Sequence, residues 1–173
     1  SVFKKKFKDQ FIISTVTFRL NKKHSFHISY GAIEQELNKL GVTEISIRAI
    51  SDAVIRIRSS KLPDPAIIGN AGSFFKNPEI SAWQFDELKN KYPEMVGYPL
   101  PEEKVKLAAG WLIEKAGWKG FREGDAGCHE KQALVLVNYG KASGNDILKL
   151  SEKILKDVSA KFGVILEPEV NFY

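Results

Sequence analysis

The chain has almost no cysteine: Cys128 is the single thiol in 173 residues. One cysteine excludes an internal disulfide framework and fits a reducing compartment. It stands beside His129, but adjacent side chains rarely point the same way, and nothing else in the sequence suggests a thiol enzyme. Histidine is nearly as scarce. His24 and His27 lie three apart with no Cys, Asp or Glu set to complete a metal site, so they read as solvated and no metal is expected. Long apolar runs are missing too, none reaching the roughly 18 residues of a membrane span. Phe3 to Lys8 (FKKKFK) is not followed by the uninterrupted apolar core of a signal peptide. No zinc-finger, RNP-type aromatic or helix-turn-helix pattern supports nucleic-acid binding. The first residue is Ser1 rather than Met, which reads as a fragment or a processed chain.

What is present is the balance of a globular protein, 43% hydrophobic and 27% charged. The length suits one domain or one and a fraction. The net charge of +5 is unevenly placed: residues 1–62 hold 12 Lys and Arg against 5 Asp and Glu, while residues 63–173 hold 14 against 16. A basic front half suits nucleic acid, an anionic membrane face or a phosphorylated small molecule, and Lys4, Lys5, Lys6 and Lys8 also read as a solvated segment.

Phe11 to Leu20 (FIISTVTFRL) is rich in β-branched and aromatic residues and reads as a strand. Tyr30 to Leu40 has helical spacing and a stop at Gly41. A second helix is expected over Glu44–Arg58, with Ile47, Ile50, Val54 and Ile57 in one stripe and Thr43 as cap. Pro63 and Pro65 then interrupt regular structure, and the main boundary is placed between residues 62 and 63. Further helices are expected at Ala82–Lys91, Glu102–Ala116 and Asp146–Phe162, the last ending at Gly163. Ala133–Val137 and Val164–Phe172 read as strands, the latter interrupted by Pro168. This order predicts an α+β protein with a mixed or antiparallel sheet and packed helices.

Two stretches could carry chemistry. In Gly69–Pro78 (GNAGSFFKNP), Gly69 and Gly72 can take positive φ, while Phe74 and Phe75 anchor the residues after them. Ser73 would then sit at a fixed height between flexible and packed chain, with the Asn77 amide nearby. A glycine-bent strand entering a core accounts for the same residues equally well. In Leu166–Val170 (LEPEV), Glu167 and Glu169 would share one face of an extended chain. Leu166 and Val170 would partly desolvate Glu169, which favours a role as acid or hydrogen-bond donor.

SKLPDP (60–65), GNAGSFFKNP (69–78), KLAAGWLIEKAGWKG (106–120), QALVLVN (132–138) and LEPEVNF (166–172) occur in this order. Together they resemble the flavoenzyme family UDP-N-acetylenolpyruvoylglucosamine reductase, over nearly the whole chain. The resemblance implies a cytoplasmic enzyme of peptidoglycan precursor synthesis that uses FAD and NADPH to make UDP-N-acetylmuramate. It also implies a C-terminal half: residues 1–62 as the remnant of the FAD-binding domain and 63–173 as the substrate-binding domain. The family's catalytic arginine would lie just before Ser1, so this length alone would be inactive and colourless. Ser73 matches the family's proton-donating serine and Glu169 its catalytic glutamate, with Glu167 a structural neighbour. Tyr30, Lys61, Asn77, Tyr98, Lys106 and Gln132 resemble substrate contacts, and Arg58 a flavin contact. A non-catalytic UDP-sugar-binding module is the alternative. A half-domain exposing its former interface would also be able to pair with another copy.

Overall fold

The computed structural model describes residues 2–4, 6–7, 10–29 and 32–172. Chain contacts divide it into two compact units, residues 1–50 and 51–173.

In the first unit, a short 3-10 turn (Val2–Lys4) opens a cluster of the Phe3, Phe7 and Phe11 rings, whose centroids lie 5.4–6.5 Å apart. The expected strand from Phe11 to Leu20 is irregular, with Ile12 97% and Leu20 84% exposed. β-prone residues supply only half of a strand. The other half is a neighbour that takes the backbone N–H and C=O groups and covers one face. Among the described residues of this unit no strand is present to do so. The helix expected next is α1 (Ile33–Lys39), and Gly41 at φ +66° follows it, a backbone shape that glycine takes without strain. Tyr30 lies outside the described residues.

Helix α2 (Ile47–Lys61) begins and ends three residues later than expected. The cap is Ser46 rather than Thr43: the Ser46 hydroxyl accepts from the Ala49 N–H at 3.1 Å. Ala53 is buried, Ile50, Val54 and Ile57 are half-buried, and Ile47 is exposed.

The second unit is built on two antiparallel sheets, so the expected α+β class holds. The first has strand order β1 (Gly69–Ser73), β7 (Val135–Asn138), β6 (Ala126–Cys128), β5 (Arg122–Glu123). The second has order β2 (Glu79–Ser81), β4 (Lys104–Leu107), β3 (Gly97–Leu100). Helix α3 (Ala82–Lys91) packs on β2 and β4, and α5 (Gly144–Phe162) packs on β6, β7 and α4 (Ala109–Lys115). Leu112, Ile113, Leu150, Ile154, Val158, Leu136 and Phe75 form the dry centre, each at most 3% exposed.

Local chemistry explains most boundaries. α3 starts where Ser81 accepts from the Gln84 N–H. α5 starts two residues before the expected Asp146 because Ser143 is the cap. Ser143 and Asp146 exchange hydrogen bonds in a capping box, which also holds the Asp146 carboxyl below its ordinary pKa. It stops at Gly163, φ +64°.

The expected helix over Glu102–Ala116 divides into β4 and α4. Lys104-Val105-Lys106-Leu107 alternates, with Val105 and Leu107 buried and the lysines outward, so a period of two prevails there over the helical one. The expected terminal strand is also corrected. Residues 164–170 keep strand-like alternation, with Val164 and Leu166 buried and Ile165 exposed, but make a single bridge, Pro168 to Phe75. Proline has no N–H to extend a ladder.

Candidate functional site

The site is organised by the bend in β1. The Asn70 side chain accepts from the Gly72 N–H at 3.0 Å and donates to the Ile68 carbonyl at 2.9 Å, an Asx turn. Gly72 takes φ +73°, and the register of β1 against β7 shifts between Asn70 and Ser73. Gly69, expected to share this freedom, does not use it. Ser73 emerges from the bulge on an exposed edge.

Immediately after it the chain is fixed on both sides. The Phe74 N–H donates to the Leu134 carbonyl at 2.8 Å, and the Phe74 carbonyl accepts from the Glu169 N–H at 2.8 Å. The Lys76 N–H donates to the Glu167 carbonyl at 2.8 Å, and Lys76 Nζ pairs with Glu167 Oε2 at 3.0 Å. The side chains of Phe74 and Phe75 fill the core beneath, their ring centroids 5.1 Å apart, and Phe172 lies 6.0 Å from Phe74. Residues 73–76 and 167–170, nearly a hundred positions apart in sequence, therefore form one clasp. Glu167 is a structural partner in it. Glu169 is exposed rather than partly desolvated as expected, because only Leu166 of its apolar neighbours is buried and Val170 is half-buried.

The neighbouring candidates extend from this clasp. Asn77 Oδ1 accepts from the Ala109 N–H at 2.9 Å, holding the start of α4. Lys106 stands opposite Glu79 on one side, pairing with its carboxylate at 3.6 Å, and opposite Tyr98 on the other. Tyr98 is 58% exposed, its ring open to solvent. Gln132 Oε1 receives the Leu134 N–H at 3.4 Å and lies where a Cβ on Gly110 would come within 3.0 Å of it. Lys61 and Arg58 occupy the last turn of α2, and both are exposed. Asn70 and Gly110 went unnoticed in sequence. The Asn-x-Gly spacing of Asn70 and Gly72 is the signal that marks the first.

Cys128 and His129 form no reactive pair. The Cys128 thiol donates to the Ala133 carbonyl at 2.9 Å, and burial pushes its pKa up to about 12. His129 is buried and its pKa lies below the ordinary value, chiefly through desolvation. Elsewhere a groove lined by Glu123, Asp125, Lys141, Asp146, Lys149 and Lys153 contains none of the candidates.

Comparison with known proteins bears on what this clasp belongs to. The family model described as "UDP-N-acetylenolpyruvoylglucosamine reductase, C-terminal domain" matches residues 64–173. The chain belongs to the UDP-N-acetylenolpyruvoylglucosamine reductase family. It is 50% identical over 173 residues to the reductase of Pseudomonas syringae pv. tomato, covering 100% of this chain and 51% of that one. It is 52% identical over 172 residues to the reductase of Flavobacterium johnsoniae, covering 99% and 51%. A crystal structure of the reductase from Thermus caldophilus aligns over 72% of this chain and 34% of that one, at 27% identity and a TM-score of 0.43. The chain thus spans about half the length of the curated relatives it matches. The region matched by the reductase family model contains Ser73, Asn77, Tyr98, Lys106, Gln132 and Glu169, while Tyr30, Arg58 and Lys61 precede it.

For a flavin, this chain offers Arg58 alone among the candidates. One exposed guanidinium suits a phosphate or carbonyl oxygen but does not enclose an isoalloxazine ring. Arg58 is thus the one candidate that would hold part of FAD, and the remaining candidates concern the substrate.

Proposed function

We propose that this chain is the substrate-facing portion of a cytoplasmic UDP-N-acetylenolpyruvoylglucosamine reductase, in which Ser73 is the proton donor and Glu169 a stabiliser of the reacting group. The intact enzyme would carry FAD and draw on NADPH, the flavin supplying hydride when bound. Residues 63–173 are assigned to the substrate and 1–62 to the end of the flavin-binding domain. The family match over 64–173 and the uncovered apolar residues of Phe11–Leu20 support this division.

The substrate carries an enolpyruvyl double bond conjugated to a carboxylate. Addition of hydride to one vinyl carbon moves an electron pair toward that carboxylate, and the adjacent carbon must then receive a proton. Ser73, exposed at the bulge, delivers it. A serine hydroxyl is a weak acid in water, so it acts only toward a strongly basic carbon and only when held in line. Glu169, on the adjoining arm of the clasp, serves the same developing charge and, when protonated, donates a hydrogen bond to it. Lys106 and Lys61 suit the diphosphate, Asn77 and Gln132 offer amide donors and acceptors, and the exposed Tyr98 ring offers a face to the nucleotide or sugar.

The observation that carries this reading is the 2.8 Å hydrogen bond from the Glu169 amide to the carbonyl of Phe74, the residue after Ser73. The test is Ser73→Ala in the full-length protein that contains this sequence, followed by stopped-flow absorbance. Flavin reduction by NADPH should proceed at the unmodified rate, and reoxidation by the enolpyruvyl substrate should fall about 100-fold or more, the scale of a lost general acid. Unchanged reoxidation would show that Ser73 is not the donor.

A further inference from the structure

The bend before Ser73 has an unusual support. Gly72 sits at φ +73°, yet a Cβ built on it would meet nothing within 4 Å. No side chain packs over Gly72 to impose that backbone shape, although β1 pairs with β7 on either side of it, Asn70 with Val137 and Ser73 with Val135. The bend itself is supported by one half-buried side chain: the Asn70 carbonyl oxygen takes the Gly72 N–H while the Asn70 amide group ties back to Ile68. Downstream, Phe74 is fixed through both its N–H and its carbonyl. Ser73, paired with Val135 of β7, therefore lies between two further supports, the fixed Phe74 after it and the Asn70 turn before it.

We infer that Asn70 is a positioning residue for Ser73: its side chain sets the β1 bulge that aims the hydroxyl. This inference rests on the reading of Ser73 as proton donor. Without the Asn70 acceptor, the Gly72 peptide regains the broad freedom of glycine, and the upstream end of Ser73 is released. Proton delivery depends on alignment, and a displacement of about 1 Å can cost about 100-fold in rate. Substrate affinity, set by groups elsewhere in the site, has no reason to change. Aspartate retains the acceptor of an Asx turn and loses only the donor to Ile68.

The experiment compares N70A, N70D, S73A and the N70A/S73A double variant in the full-length, flavin-loaded protein. NADPH-dependent flavin reduction and substrate-dependent reoxidation are measured separately. Amide hydrogen exchange at Gly72 is followed in the present chain. N70A should lower the reoxidation rate by up to about 100-fold with KM and flavin reduction unchanged. It should also expose the Gly72 amide to exchange, and N70D should restore most of both properties. On the S73A background, N70A should add nothing, because its effect passes through the hydroxyl. A wild-type rate in N70A, an equal loss in both half-reactions, or a full additional loss on S73A overturns the inference. If N70A does not fold, N70L takes its place, since leucine is close to asparagine in size and offers no acceptor to the Gly72 N–H. A wild-type rate in that variant overturns the inference equally. S73A separates the two levels: if S73A alone leaves reoxidation intact, the proton-donor reading fails. If S73A is crippled while N70A is not, only the role of Asn70 fails.

Discussion

Replacing Phe75 by alanine tests the base on which the site stands. Phe75 is 1% exposed, bridges to Pro168 and lies edge-on to Phe74 at 5.1 Å. Its deletion removes a whole aromatic side chain from the interior and leaves a cavity whose lining belongs to both arms of the clasp. Truncations of this kind cost about 3–5 kcal/mol. In a chain of this size each kcal/mol lowers Tm by about 2–4 °C, giving an expected fall of about 6–20 °C. All three tryptophans, Trp83, Trp111 and Trp118, belong to the second unit. A thermal melt followed by tryptophan fluorescence therefore reports the unit that contains Phe75. Ile165→Ala is the control: Ile165 is 76% exposed between the buried Val164 and Leu166, and its loss should shift Tm by no more than about 2 °C. If Phe75→Ala melts within about 2 °C of the unmodified chain, Phe75 is not an anchor and Ser73 has no fixed footing.

Burial of the Cys128 thiol gives two further expectations. Iodoacetamide at pH 8 should leave the folded chain unmodified and label it once unfolded in urea, because the thiolate is the reactive form and the folded thiol titrates near pH 12. Stability should also fall as pH rises above about 9, by up to about 1.4 kcal/mol per pH unit, since the unfolded thiol loses its proton there and the folded one keeps it. A Cys128→Ala variant should lose that part of the alkaline decline, as read from urea midpoints across pH 8–11.

How much of this was legible in the sequence depended on whether the deciding signal was local. α3 matches its expected bounds, and α5 differs at its start by two residues, because caps and apolar spacing lie within the helices themselves. At Lys104–Leu107 a strand pattern four residues long was hidden inside a longer helical period, and only pairing with β2 and β3 decides between them. Phe11–Leu20 carries strand-prone residues without a partner to make them a strand. For Glu169, the identity of its neighbours suggested burial, but alternation along residues 164–170 turns it outward. That the segments of Ser73 and Glu169 meet could not be read from either one: the family resemblance paired the two residues as an expectation, and the hydrogen bond from the Glu169 N–H to the Phe74 carbonyl joins their segments. Asn70 was visible as an Asn-x-Gly spacing, yet its meaning depends on the bulge after it.

The most direct test of the clasp is amide hydrogen exchange in this chain by NMR. The Phe74, Lys76 and Glu169 amides, donating to Leu134, Glu167 and Phe74, should exchange far more slowly than those of Ile165 and Asn171, which have no acceptor among the described residues. Exchange of Lys76 and Glu169 as fast as Ile165 would mean that the two arms do not hold each other, and the site built on them would not exist.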